Sequence, residues 1–147
     1  MKNELNLFKG LFQNFENISI LHINNGLDFL SPVLKEVAEE YNGTVHYKKF
    51  EDENSARLRS TARDYEYIIL SDILSQCPNK DKIIKIMYKA LENSANIIIL
   101  EKKSNNNLVE VKNLLDDTSF VAINNIDLFE DYELITAKKL HMWGSGL

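Results

Sequence analysis

The chain has 147 residues, 44% of them hydrophobic and 27% charged, with a formal net charge of −5. That size suits one domain, long enough to bury about two-thirds of its extended-chain surface without staples, and the composition is that of a globular chain. The negative charge excludes a general affinity for nucleic acid or anionic membranes, and a single cysteine, Cys77, excludes an internal disulfide and a thiolate metal cluster.

Residues 4–15 place Leu5, Phe8, Leu11, Phe12 and Phe15 at helical spacing, which predicts a short amphipathic helix at the amino end. Ile18–Ile23 is a compact apolar run and reads as a buried strand, broken by the turn signal Asn24-Asn25-Gly26. Ser31 followed by Pro32 predicts a helix start, with the hydroxyl as cap and the proline where no amide donor is needed. That helix shows Val33, Leu34, Val37, Ala38 and Tyr41 on one face and stops at Asn42-Gly43.

Thr44–Phe50 predicts a second strand whose mixed faces place it near a sheet edge. The polar stretch 51–64 carries Arg57, Arg59 and Arg63 and reads as a solvated surface helix or loop. Tyr67–Leu70 is a third strand, ending at Ser71-Asp72; a helix from about Lys80 to Asn93 buries Ile83, Ile84, Met87 and Leu91. Asn96–Leu100 is the most apolar strand and predicts a central position. Asn105-Asn106-Asn107 opens a further helix with Leu108, Val111, Leu114 and Leu115 inward, and Phe120–Ile123 and Tyr132–Ala137 form an antiparallel pair around Glu130-Asp131.

Strands alternating with helices demand parallel pairing and crossover helices, hence an α/β three-layer Rossmann-like sandwich with one late strand running against the rest. The expected organisation is a single domain over 1–147: the helix 4–15, a core over 18–138 and a tail over 139–147. In that tail, His141, Met142 and Trp143 read as packing residues that cap the sheet or cover a dimer contact. No apolar run approaches the ~20 residues that span a bilayer, and no leader pattern opens the chain, so a cytoplasmic location is expected. Three scattered histidines give no metal site: His22 reads as an interior residue and His46 as an edge residue. Cys77 reads as a small buried apolar side chain.

Parallel β/α units closed by an antiparallel hairpin, together with the segment "YEYIILSDILSQCPNKDKIIKIMYKALENSANIIILEK", resemble the class I S-adenosylmethionine-dependent methyltransferases. In that segment Ala90-Leu91 and Ser94-Ala95 stand at the family's corner before a strand that ends in an acid, here Glu101. The likeness runs from Ile18 to Lys138 in element order, with one β/α unit missing between the second strand and Tyr67. It implies S-adenosylmethionine as cofactor, held by the loop Asn24, Asn25, Gly26 and Asp28, by Glu51 and Asp52 beyond the second strand, and by Ser71, with Asp72 orienting or deprotonating the acceptor. The chain departs from the family's glycine-rich turn: His22 stands for the acid, Asn24 and Asp28 for two glycines, and only Gly26 is kept. Two readings follow: a methyltransferase-like protein, active or with lost or weakened activity, taking a small or surface-presented acceptor, or a non-catalytic relative acting through protein contacts or self-association as a homodimer. A flavodoxin-like or receiver-like domain is a third, disfavoured by the terminal hairpin and by the lack of an acidic pair after the first strand.

Overall fold

A computed structural model describes residues 2–12, 16–52 and 64–140. The elements in chain order are α1 (Lys2–Lys9), β1 (Ser19–Asn24), α2 (Leu30–Glu40), β2 (Thr44–Lys49), β3 (Tyr65–Ser71), α3 (Lys80–Ala90), β4 (Leu91–Lys102), α4 (Leu108–Asp117), β5 (Phe120–Ile126) and β6 (Tyr132–Lys139). The six strands form one sheet in the order β2-β1-β3-β4-β6-β5. β1 pairs in parallel with β2 and β3, and β3 with β4; β6 runs antiparallel to both β4 and β5. β6 is therefore the reversed strand, and β4 is central, as its apolar run implies.

Because side chains alternate across a strand, each strand feeds two cores. Ile20, Tyr67, Ile69, Ile98 and Leu134 pack on one face beneath Phe8, Phe12, Leu30, Val33, Leu34 and Val37, which brings α1 and α2 to that side. Leu21, Ile23, Ile68, Leu70, Ile97, Ile99 and Ile135 pack on the other face against Ile83, Ile84, Met87, Val111 and Leu115 of α3 and α4. The result is the expected three-layer sandwich. Among the described residues no helix is long and apolar enough to cross a membrane.

Several boundaries differ from expectation. α1 ends at Lys9, and Phe15 lies outside the described residues. α2 begins one residue before Ser31, with Phe29 at the cap position and no side-chain cap; Ser31 and Pro32 sit in its first turn, where a proline is still tolerated. The turn before it is set by apolar burial, since Leu27 and Leu30 both enter the core and the Leu30 N–H reaches the Leu27 carbonyl at 3.4 Å. α3 stops at Ala90, and β4 starts at Leu91 with extended backbone (φ −80°, ψ 142°). β6 runs on to Lys139, whose ammonium is buried, donates to the Leu91 carbonyl at 2.8 Å and stands 4.9 Å over the Tyr88 ring. The expectations for Arg57, Arg59, Arg63, His141, Met142 and Trp143 lie outside the described residues.

Candidate functional site

In the order β2-β1-β3 the chain leaves β1 toward one edge and later returns to its other side. That reversal makes a crevice at the carboxyl ends of β1 and β3, the place where open α/β sheets receive ligands. The loop Asn24–Asp28, the β3 end at Ser71-Asp72 and the β4 end at Glu101-Lys102 meet there.

The loop is held by its own asparagines. Asn24 is fully buried; its Oδ1 accepts the Leu27 N–H at 2.9 Å and its Nδ2 donates to the Leu27 carbonyl at 3.3 Å. Asn25 donates from its backbone to the Ser71 carbonyl at 3.0 Å and from Nδ2 to the Asp72 carbonyl at 3.1 Å, which joins loop to β3. Gly26 has φ +83°, is exposed, and a Cβ placed on it would meet nothing within 4 Å. Backbone in that region suits glycine, and here it borders open space. Asp28 is exposed just before α2. Glu51 and Asp52 are exposed beside the loop, because the Phe50 N–H donates to the Asn24 carbonyl at 2.8 Å and draws the β2 end to it.

Ser71 and Asp72 part company. The Ser71 side chain is buried on the α2 side and meets His22 Nε2 at 2.8 Å, so it braces the interior and does not face the crevice. Burial lowers the His22 pKa to about 4. Asp72 adopts φ +61° and is 3% exposed, with its carboxylate 3.5 Å from Lys102 Nζ. Burial pushes the Asp72 carboxyl up, and the Lys102 ammonium pulls it back down. Glu101 is fully buried, accepts from the Leu74 N–H at 3.2 Å and from Asn107 Nδ2 at 2.8 Å, and is likewise raised by burial. Beside this cluster a cavity of about 280 Å³ is lined by Lys102, Lys103, Ser104, Glu130, Asp131 and Tyr132.

Sequence reasoning brought Asn24, Asn25, Gly26, Asp28, Glu51, Asp52 and Asp72 to one rim. It missed Lys102, which neutralises Asp72, and Tyr47, whose hydroxyl accepts from Asn24 Nδ2 at 3.4 Å. Lys102 directly follows the strand-end acid Glu101, which is the signal that would have found it.

Compared with solved structures, the chain matches a SAM-dependent methyltransferase from Aquifex aeolicus over 92% of its own length and 89% of the other, at TM-score 0.76 and 12% identity. The fold is that of the class I methyltransferases. A phosphoethanolamine N-methyltransferase 2 from Haemonchus contortus, in complex with S-adenosyl-L-methionine, matches at TM-score 0.73 and 11% identity; 95% of this chain is covered and 53% of that one, so the chain spans about half its length. An S-adenosylmethionine-dependent methyltransferase from Mesorhizobium loti matches at TM-score 0.63 and 9% identity, covering 90% of this chain and 96% of that one. No protein-family model matches the sequence, and no curated protein matches it.

Proposed function

We propose that the chain binds S-adenosylmethionine in the crevice beside Gly26 and serves as a small methyltransferase-type domain. The observation that carries this reading is the open space at Gly26, at the mouth where the sheet order reverses. A cofactor held there needs close approach to backbone, and the residues present suit it. Gly26 offers no side chain, and the Asn24 side chain, which stands for a family glycine, is folded inward and leaves the mouth free. The cofactor carries an ammonium, a sulfonium and one carboxylate, a net positive charge that the acidic rim of Asp28, Glu51 and Asp52 attracts. Glu51 and Asp52 would hold the ribose and adenine side, and Asn25 and Gly26 the methionine side.

When bound, the cofactor supplies a methyl group on sulfur for in-line displacement, a reaction in which positioning does much of the catalytic work. The chain's part is to place an acceptor in the neighbouring cavity of about 280 Å³, a size for a small molecule. Asp72 would take the acceptor's proton only after Lys102 swings away, because its carboxylate is covered. That same coverage favours a second reading, a non-catalytic scaffold acting through protein contacts or self-association.

Calorimetry with S-adenosylmethionine and S-adenosylhomocysteine tests the first reading. Saturable heat from both is expected, abolished in Gly26→Val. Absence of heat and of any thermal shift at millimolar ligand would leave only the scaffold, and a strictly monomeric protein that captures nothing would then count against self-association and contact roles.

A further inference from the structure

Away from the crevice, α2 and β2 enclose a groove of about 640 Å³. Its lining includes Lys35 and Glu39 of α2 and Val45 and Tyr47 of β2, with the buried Ala38 and His22 beneath. The Asn24 Nδ2 contact to the Tyr47 hydroxyl lies between this groove and the Gly26 mouth.

His22 is fully buried, and its Nδ1 has no hydrogen-bond partner among the described residues. The tautomer follows from its neighbour. Ser71 is buried too, and among the described residues its hydroxyl has one contact, to His22 Nε2 at 2.8 Å. With no other acceptor for the hydroxyl proton among the described residues, Ser71 donates and Nε2 accepts. Burial keeps the ring neutral near pH 7, so its proton resides on Nδ1. A buried N–H facing no acceptor is rare in native folds.

Nε2 points to Ser71 on β3, and the ring also meets Tyr47 of β2 edge-on, with centroids 5.6 Å apart. His22 itself belongs to the lining of the groove. Among the described lining residues His22 is the polar side chain that is buried; Ser31 is half-buried, and Thr44 and Tyr47 are exposed. Lys35 and Glu39 bring one charge of each sign to the lining, which favours a neutral occupant.

We infer that the α2–β2 groove is a binding site for a compact, neutral, largely apolar molecule bearing one carbonyl oxygen that accepts the Nδ1–H of His22. An aromatic occupant fits best, since Tyr47 presents a ring to pack against. This site is separate from the cofactor crevice and does not depend on it.

The test uses the full chain labelled with ¹⁵N, with acetophenone as probe and ethylbenzene as the near-isosteric control lacking oxygen. Long-range ¹H–¹⁵N spectra should first show His22 protonated at Nδ1 at neutral pH. Millimolar acetophenone should then shift Nδ1–H, slow its exchange with water and move the amides of Val45 and Tyr47. Ethylbenzene should bind at least ten-fold more weakly. Thr44→Trp, at an exposed position lining the groove, should remove the response, and Gly26→Val should leave it intact. A proton on Nε2, equal affinity for the two probes, or no response to acetophenone would each overturn the inference.

Discussion

Titration of His22 should dominate the difference in acid stability between the wild-type chain and His22→Phe. In the fold its pKa is lowered from 6.5 to about 4 by burial, while in the unfolded chain it titrates near its ordinary value. Between these values the unfolded state binds the proton and the native state does not. The stabilising contribution is thus complete above about pH 6.5 and is lost as pH falls toward 4. At 1.36 kcal/mol per pH unit, the loss amounts to about 3 kcal/mol. Glu66, Asp72 and Glu101 work in the opposite sense, because burial raises each of them and their protonation in the fold adds stability as pH falls. Both proteins carry those carboxyls, so subtraction removes them. Urea melts at half-unit pH steps from 7.5 to 4 measure the difference; with a slope of about 2 kcal/mol/M, the wild-type midpoint should fall by about 1.5 M relative to the variant. A difference curve that is flat over this range, or that turns upward, would refute the assignment of a neutral buried imidazole.

Three further outcomes are expected. Glu101→Ala should cost about 2–3 kcal/mol in chemical melts, since it strands the Leu74 N–H and the Asn107 amide, whereas Glu101→Gln should cost less than about 1 kcal/mol. The glutamine is tolerated because Asn107 can turn over and present its otherwise unpartnered Oδ1 to the new N–H. Gly43→Ala should destabilise by about 3 kcal/mol or more, because a Cβ there overlaps the Ile18 carbonyl and its Cγ2, while Gly26→Ala, with open space ahead of it, should cost only about 1 kcal/mol by thermal denaturation. Lys139→Met should lower stability by about 2 kcal/mol, through a buried Leu91 carbonyl left without its donor and a lost cation–ring contact.

The sheet and its layers were legible because burial on both faces demands unbroken apolar runs, and Ile68–Leu70 and Ile97–Leu100 supply them. Where the run is short of apolar residues, the sequence misleads. Leu91 continues the helical spacing of Ile83, Ile84 and Met87, so periodicity alone carries the helix past Ala90. Pairing decides otherwise: Tyr65 meets Leu91 across a register irregularity, and Ser94 takes φ +65° to let β4 resume at Asn96 opposite Tyr67. The candidate site was legible as a list of loop residues but not as a set of contacts. Asp72 meets Lys102 only because β3 and β4 align Ser71 with Leu100, a register that depends on tertiary pairing and has no local signature. Asn24 and Ser71 were likewise expected at the loop and the strand end, yet both side chains turn inward, Ser71 to His22 on the same sheet face and Asn24 to the backbone of Leu27.

The asparagines hold the turn after β1 in shape. In a glycine-rich loop, backbone freedom alone allows the tight path; here two side chains take over the task. Asn24 bonds both backbone groups of Leu27, and Asn25 ties the loop to the β3 end at the Asp72 carbonyl. Backbone bonds continue the tie in both directions, from Phe50 N–H to the Asn24 carbonyl and from Asp72 N–H to the Leu100 carbonyl, each 2.8 Å. Four strand ends are thereby joined just beyond the sheet, and the mouth at Gly26 is held by polar contacts instead of depending on three glycines. The rim also carries charge, with Asp28 exposed on it and Lys102 covering Asp72. Shape and charge are thus separable here: Asn25→Ala should loosen the mouth without altering its charge, and Asp28→Gly should alter the charge without loosening the mouth. Affinity for S-adenosylmethionine is expected to fall with both changes; if it follows the first and ignores the second, the backbone path and not the acidic rim is what the ligand reads.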